Sequence, residues 1–470
     1  MASAILVSSK PNKNKHHRRS QMRQKRTSQM SIFDLFSQHQ IGKELQAMSD
    51  RLDRCPEFLN WIAVDLHWRD VLDTGRKGLP VETVLRCALL KQYRQLSYEE
   101  LAFHLSDSAS FQAFARLPMG VVPKKSVLQQ TISQISAPTW ERIHQYLLGQ
   151  ARQEKLEKGN KLCIDSTVTE TMIHEPSDSS LLCDSVRVMV RLLKQAQGLA
   201  GKVKIPYSNH LRVARKRARN IIYARQTKHR TKLYKDLIQI TRTTGDYLRQ
   251  AERQLSKLPC DFLAYEIWLA QCHHYRPLIE KILWQSEQRV IHGQSLSAEE
   301  KVFSLFEDHT DIIIKGSREI QYGHKLNLSS GKSGLILDVV IEQGNPADSE
   351  RLLSMLERHI EHYGVAPTHM AVDGGYASAE NLTKAKYHGV EQVAFHKKRG
   401  LSIEQMVSSQ WVYRQLRNFR AGIESGISCL KRAYGLARCT WKGLEHFQSY
   451  VWSSVVAYNL ALLARLSLAQ

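Results

Sequence analysis

The strongest constraint on the fold is a helical stretch that separates two regions of strand-like sequence. Residues 185–305, about 120 positions, contain few glycines or prolines and repeat apolar side chains every three to four residues, which indicates helices. Before this stretch, Leu162, Cys163 and Ile164 form a short apolar run that ends in polar residues. Strand patterns return after residue 305. The chain therefore predicts one domain, formed by residues 158–184 and 306–470, that a helical insertion at 185–305 interrupts.

The later part of the chain predicts the order of elements in that domain. Residues 321–328 and 335–341 are strand-like and flank a turn-rich segment, which is typical of a hairpin. A buried strand at 368–372, a helix at 378–388, a strand at 391–395 and helices at 418–433 and 441–468 follow. This order predicts an α/β fold whose mixed sheet contains an antiparallel hairpin and then parallel crossovers.

The N-terminal region predicts a separate, all-α domain at residues 31–150. Ser97 and Glu100 have the spacing of a capping box, and short apolar segments on either side have helical periodicity. Three short helices with tight junctions are typical of a helix-turn-helix DNA-binding domain. They are equally compatible with a helical domain that has no such role.

Charge is concentrated in two places. The 470 residues include 67 Lys plus Arg and 45 Asp plus Glu, which gives a net charge of +22. Residues 1–30 hold eight basic and no acidic residues, and residues 201–260 hold sixteen basic and three acidic residues. The remainder is nearly neutral. We predict a basic disordered tail at 1–30 and a basic insertion, both suited to a polyanionic partner.

Two further features bear on where the chain works. Its eight cysteines have no Cys-x-x-Cys spacing, which is typical of free thiols in a reducing cytoplasm. Residues 450–469 are apolar but interrupted by serines, Asn459 and Arg465, which favours a packed terminal helix and no membrane span.

Two aspartates follow predicted strands, Asp165 after the first and Asp373 after the strand at 368–372. Ligands of such sheets gather at the carboxyl ends of strands. These two strands are neighbours in the predicted topology, so the two carboxylates would face each other and require a cation. Magnesium prefers oxygen ligands, and a third carboxylate would complete a two-metal site for phosphoryl transfer. Glu424 on a late helix is the best candidate.

Glu424 has basic neighbours at helical spacing. Arg420 precedes it by four residues and Lys431 follows it by seven, so the three side chains share one helix face. Such a face could hold a metal ion and grip adjacent phosphates. An ordinary row of exposed ion pairs has the same spacing.

The ordered motifs resemble those of the DDE transposases of bacterial insertion sequences. They are Ile164-Asp165-Ser166-Thr167, Gly323-His324-Lys325, residues 342–349 (EQGNPADS), Asp373-Gly374-Gly375-Tyr376 and Arg420-x3-Glu424-x6-Lys431. The resemblance spans about residues 65–465. It implies a ribonuclease-H-like domain in which Asp165, Asp373 and Glu424 bind two Mg²⁺ or Mn²⁺ ions and catalyse DNA cleavage and strand transfer. Some relatives carry a β-rich domain between the second aspartate and the glutamate, but here only 51 residues separate Asp373 from Glu424.

The resemblance also implies DNA-binding side chains. The candidates are Arg420, Lys431, Lys397, Lys398, Arg399, Lys325 and Arg417, which stands where one branch of the family has a tyrosine. The loop cations at 397–399 could instead be merely solvated, and His324 and Lys325 could pack locally. Asp348 is predicted to be a helix cap.

The implied partners are double-stranded DNA, as terminal inverted repeats and target, and a second copy of the chain in a homodimeric synaptic complex. Such a protein would act in the bacterial cytoplasm, at the nucleoid. Two alternatives are a structure-selective nuclease of the same fold and a DNA-binding protein derived from a transposase.

Overall fold

The computed structural model describes residues 39–67, 78–118, 120–315, 319–397 and 399–469. The basic tail at 1–30 and Lys398 lie outside these residues. Up to residue 153 the described chain forms seven helices: α1 (Gln40–Asp53), α2 (Glu57–His67), α3 (Val81–Tyr93), α4 (Tyr98–Asp107), α5 (Ala109–Ala115), α6 (Lys125–Ile132) and α7 (Ala137–Gln153). The predicted capping box is present, since the Ser97 side chain accepts from the Glu100 amide and the Glu100 carboxylate accepts from the Ser97 amide.

Six described strands form one mixed sheet. They are β1 (Lys161–Glu170), β2 (Asp311–Lys315), β3 (Glu319–Ser330), β4 (Ile336–Ile341), β5 (His369–Val372) and β6 (Gln392–Phe395). The path through the sheet is β2-β3-β1-β5-β6. Strands β2 and β4 both pair with the edge of β3 that faces away from β1: β2 pairs with residues 319–323 of β3, and β4 pairs with residues 326–330. The pairs β1–β3, β2–β3 and β3–β4 are antiparallel, whereas β1–β5 and β5–β6 are parallel.

The predicted fold class is therefore confirmed: an all-α N-terminal region precedes a ribonuclease-H-like mixed sheet. The strand β2 was not predicted. The remaining helices beside the sheet are α12 (Leu352–Tyr363), α13 (Ala379–Tyr387), the short α14 (Ile403–Met406), α15 (Gln410–Ala433) and α16 (Leu444–Leu468). Helix α15 begins eight residues earlier than predicted, where the Ser409 side chain caps it.

Helix α16 joins the N-terminal helices to the sheet. It packs against α1, α3, α7 and β4. The helix is long and apolar enough to cross a membrane, but 72% of its most apolar window is buried inside the protein. Its apolar side chains are thus already covered by the N-terminal helices and the sheet, as expected of a packed terminal helix.

Between β1 and β2 the chain forms four long helices: α8 (Asp178–Leu199), α9 (Leu211–Tyr223), α10 (Thr227–Leu255) and α11 (Phe262–Ser286). Their buried apolar residues, from Leu181 to Leu305, form a hydrophobic cluster distinct from the main core. A buried hydrogen bond from the Trp268 indole to the Leu192 carbonyl, 2.9 Å long, ties α11 to α8. These helices therefore have a core of their own.

Candidate active site

The register of two parallel strands places two aspartates side by side. Ile164 of β1 is paired with Val372 of β5, so the next residues, Asp165 and Asp373, lie side by side. Asp373 follows the end of β5, as predicted, but Asp165 does not end its strand: β1 continues to Glu170, and Asp165 is paired with Leu328 of β3. Adjacent strands are about 4.8 Å apart. The two side chains that the sequence singled out are thus neighbours at the carboxyl end of β5, where α/β sheets bind ligands.

Helix α15 brings a third carboxylate and a guanidinium to this edge. The Nη1 atom of Arg420 lies 3.5 Å from Asp165 Oδ2 and 3.4 Å from Asp373 Oδ1. Its Nη2 atom donates a 2.5 Å hydrogen bond to Glu424 Oε1. One guanidinium therefore contacts all three candidate catalytic carboxylates, and we call these four residues the Arg420 cluster.

Burial differs across the Arg420 cluster. The side chains of Arg420 and Asp165 are 9% and 16% exposed, whereas that of Glu424 is 53% exposed. The Arg420 Nε atom is buried and has no hydrogen-bond partner. The Asp373 side chain, at 38% exposed, is intermediate, so the cluster is buried at Arg420 and Asp165 and open to solvent beside Glu424. Three carboxylates facing one guanidinium leave an excess of negative charge, which favours a further cation.

The donor set fits the divalent ions that the resemblance implies. All three groups are carboxylates, the hard oxygen ligands that Mg²⁺ and Mn²⁺ prefer. Within the described ranges, no three His, Cys, Asp or Glu side chains already stand in a metal-binding arrangement. The carboxylates converge on the Arg420 guanidinium instead, which shows that the space between them accommodates positive charge.

Two glycines allow the chain to close around Asp373. A Cβ atom on Gly375 would lie 2.6 Å from Asp348 Oδ2, and one on Gly374 would lie 2.6 Å from Lys397 Cβ. Real Cβ atoms do not approach so closely, so any larger residue would displace these neighbours. The Asp373-Gly374-Gly375-Tyr376 motif is therefore needed for close packing beside the carboxylate.

Asp348 is part of this surrounding shell, contrary to the prediction of a helix cap. The short 3₁₀ turn Asp348–Glu350 has Ala347 at its N-cap, with no side-chain cap bond. The Asp348 carboxylate instead lies 2.5 Å from the Lys325 ammonium and 3.4 Å from the Ser166 hydroxyl. Lys325 also donates to the Pro346 carbonyl and is buried, so its ammonium anchors the loop before α12 and has little surface to offer DNA.

A second supporting network was not found by sequence reasoning. The Tyr376 hydroxyl donates to Asn327 Oδ1 at 2.5 Å, and the Asn327 amide donates to Glu342 Oε1 at 2.7 Å. Burial raises the pKa of the Tyr376 phenol far above its usual value, so this group remains a proton donor. The network ties the segment after Asp373 to strand β3. Only the presence of Tyr376 in the Asp-Gly-Gly-Tyr motif signals it.

His324, also part of a recognised motif, packs locally. Its Nε2 atom lies 2.8 Å from His309 Nδ1, the two rings are stacked, and Phe447 covers both. The Nδ1 atom of His324 is 3.2 Å from Asp311 Oδ2. The His324 side chain thus packs where β3 contacts the segment that follows the helical insertion.

The other predicted DNA-binding cations lie on α15 and in the loop after β6. Phe395 of β6 is paired with Val372, so the loop containing Lys397 and Arg399, both exposed, leaves the sheet at the edge that carries Asp373. Arg417 is exposed on α15, one turn before Arg420. Lys431 is partly buried near the end of α15, and its carbonyl accepts a hydrogen bond from Gln95.

Comparison with known proteins identifies two regions of the chain. Residues 312–460, which include Asp373 and the whole of α15, match the family described as Transposase DDE domain. Residues 39–134 match the family described as Transposase domain (DUF772). No curated protein and no solved structure gives a significant match.

Proposed function

Because the chain belongs to the DDE transposases of insertion sequences, we propose that it cleaves DNA at the ends of its element and joins them to target DNA. The observation that carries this proposal is that Asp165, Asp373 and Glu424 all contact one positively charged group, the Arg420 guanidinium. Three carboxylates that surround a positive charge form the kind of site that holds metal ions for phosphoryl transfer.

The proposed ligands of two Mg²⁺ or Mn²⁺ ions are Asp165, Asp373 and Glu424. Bound there, the ions supply Lewis-acid activation and charge neutralisation at the scissile phosphate. The carboxylates act as ligands and transfer no proton. The Lys325–Asp348 ion pair fixes the loop against which Gly375 packs, and so keeps Asp373 in position.

Exposed cations around the cluster would hold the DNA backbone. Arg417 lies one turn before Arg420 on α15, and Lys397 and Arg399 lie in the loop that follows β6, the strand beside β5. Arginine binds phosphate through two parallel hydrogen bonds, which orient the DNA strand and also strengthen its binding to the protein. We therefore propose that these residues align the scissile phosphate, together with Lys431 further along α15.

The N-terminal domain would bind the element ends through α6. This helix buries Leu128 and Ile132, whereas Gln129 and Gln130 are exposed on it and Lys124 is exposed at its N-cap. Glutamine and lysine read base edges in the major groove. Gln129 of α6 and Lys431 of α15 both line one cavity of about 620 Å³, so the two helices border a common cleft.

The insertion adds a second DNA-binding surface. Exposed cations cover α9 and the start of α10: Arg212, Arg215, Lys216, Arg219, Lys228, Lys232 and Lys235. Such a surface supports salt-dependent contacts with phosphates of any sequence. Since two element ends must be held together, we also propose a homodimer as the active form, which acts on DNA in the cytoplasm, at the nucleoid.

The test is a cleavage assay on duplexes that carry the inverted repeats flanking the gene, with Mg²⁺ or Mn²⁺. Asp165→Asn, Asp373→Asn and Glu424→Gln should each abolish cutting and strand transfer and leave DNA binding intact. Glu380→Gln, an exposed carboxylate on α13 of the same domain, is the matched control and should cut normally. Cutting by any of the three variants would remove that residue from the site.

The products decide between this proposal and its alternatives. Joined donor–target molecules are expected from a transposase. Cleavage without joined products would identify a nuclease, and binding without cleavage would identify a DNA-binding derivative.

A further inference from the structure

We propose that Arg420 competes with divalent metal ions for the catalytic carboxylates in the DNA-free protein, and that a DNA phosphate draws its guanidinium away. Metal binding would then be coupled to DNA binding. This inference rests on the proposed function, because it takes Asp165, Asp373 and Glu424 to be the metal ligands.

The contacts of Arg420 support the competition. Its two terminal nitrogens contact one oxygen on each of the three carboxylates, at 3.5 Å, 3.4 Å and 2.5 Å. A metal ion would need the same oxygens. A guanidinium that stays in place therefore occupies lone pairs and adds a unit of like charge beside the incoming dication.

The same contacts indicate that Arg420 can leave. Its Nε atom is buried with no hydrogen-bond partner, so the present position leaves one donor unsatisfied at a cost. Glu424, its shortest contact, is half exposed, and Arg417, one turn before Arg420, is exposed. A phosphate held by Arg417 would lie on the open side of the Arg420 cluster, where it could accept the forked donors of the guanidinium.

Linkage makes the inference quantitative. If DNA moves Arg420 and so strengthens metal binding by some factor, then metal must strengthen DNA binding by the same factor. Without the Arg420 guanidinium, DNA should no longer strengthen metal binding through this contact, and metal should no longer strengthen DNA binding through it. The protein without DNA would hold its metal weakly and remain inactive until DNA binds.

The experiment measures Mn²⁺ binding to the full-length protein by electron paramagnetic resonance, without and with a short random-sequence duplex. For the DNA-free protein, Arg420→Gln should bind Mn²⁺ at least about tenfold more tightly than wild type, equivalent to about 1.4 kcal/mol. Arg432→Gln, an exposed cation near the end of the same helix, is the matched control and should bind as wild type does. Asp165→Asn corrects for ions bound elsewhere or by the DNA.

The duplex supplies a second measurement that needs no change at Arg420. The duplex should raise the Mn²⁺ affinity of the Asp165-dependent site by about tenfold in the wild type. It should raise the Mn²⁺ affinity of Arg420→Gln by much less. Equal Mn²⁺ affinities for wild type and Arg420→Gln would overturn the inference. If Arg420→Gln does not fold, a wild-type affinity that DNA leaves unchanged would overturn it as well.

The failure of the proposed function would look different. In that case no Mn²⁺ binding would depend on Asp165, with or without DNA, in either protein.

Discussion

Lowering the pH should destabilise the protein through His144, a buried residue that is not part of the Arg420 cluster. The side chain lies on α7, is 1% exposed, and its Nε2 atom is 2.8 Å from the Ile336 carbonyl of β4. The Trp452 ring of α16 packs against it at 5.2 Å. Burial lowers the pKa of His144 from its usual 6.5 to about 4. The imidazole is thus neutral in the folded protein and donates one hydrogen bond through Nε2.

The sign and size of the effect follow from these two pKa values. Between pH 6.5 and pH 4 the unfolded chain binds a proton that the folded protein does not, so stability falls as the pH falls. Going from pH 7 to pH 5, the free energy of unfolding should fall by about 2 kcal/mol because of this residue alone. The loss is complete only below about pH 4, where the folded protein is also protonated.

The assay is urea denaturation at both pH values, followed by tryptophan fluorescence. His144→Gln keeps a donor for the Ile336 carbonyl but cannot be protonated, so it should lose about 2 kcal/mol less than wild type between pH 7 and pH 5. His229→Gln, an exposed histidine on α10, should behave as wild type does. Identical pH dependence in wild type and His144→Gln would refute the reasoning.

Three further outcomes are expected. Lys325→Met leaves the Asp348 carboxylate without its cation and should lower the free energy of unfolding by about 3 kcal/mol in urea denaturation; an unchanged midpoint would show that the pair does not anchor the loop. Gly375→Ala pushes on Asp348 and should slow cleavage by at least about tenfold with little loss of DNA binding, and normal cleavage would contradict the packing argument. Deleting residues 1–30 removes eight cations and should flatten the salt dependence of DNA binding. Cleavage of pre-bound ends should not change, and its loss would give the tail a role in the chemistry.

The sequence indicates the aspartates of the site because local pattern and topology agree there. Asp165 and Asp373 each follow a short apolar run, and the order of strands makes these two runs neighbours. The contacts of the Arg420 guanidinium could not be predicted in the same way. Spacing puts it on the face of Glu424, but its contacts with the aspartates arise only when α15 packs across the sheet.

Asp348 and β2 show why local pattern fails elsewhere. An Asp-Ser pair before a helix has the form of a cap, yet the buried ammonium of Lys325, distant in sequence, takes the carboxylate instead. Strand β2 has only five residues, Asp311–Lys315, and depends on its pairing with β3. Neither long-range partner is visible in the sequence around these residues.

The strands before and after the helical insertion, β1 and β2, lie on either side of the same residue of β3, Gly323. Glu170, the last residue of β1, and Asp311, the first of β2, are both register partners of Gly323 on β3. The two attachment points are therefore two strand spacings apart, or about 10 Å. A segment whose ends nearly meet can be exchanged for another without strain in the host sheet. The insertion thus has the geometry of an interchangeable module, which could change in size and charge while the sheet and the Arg420 cluster stay in place.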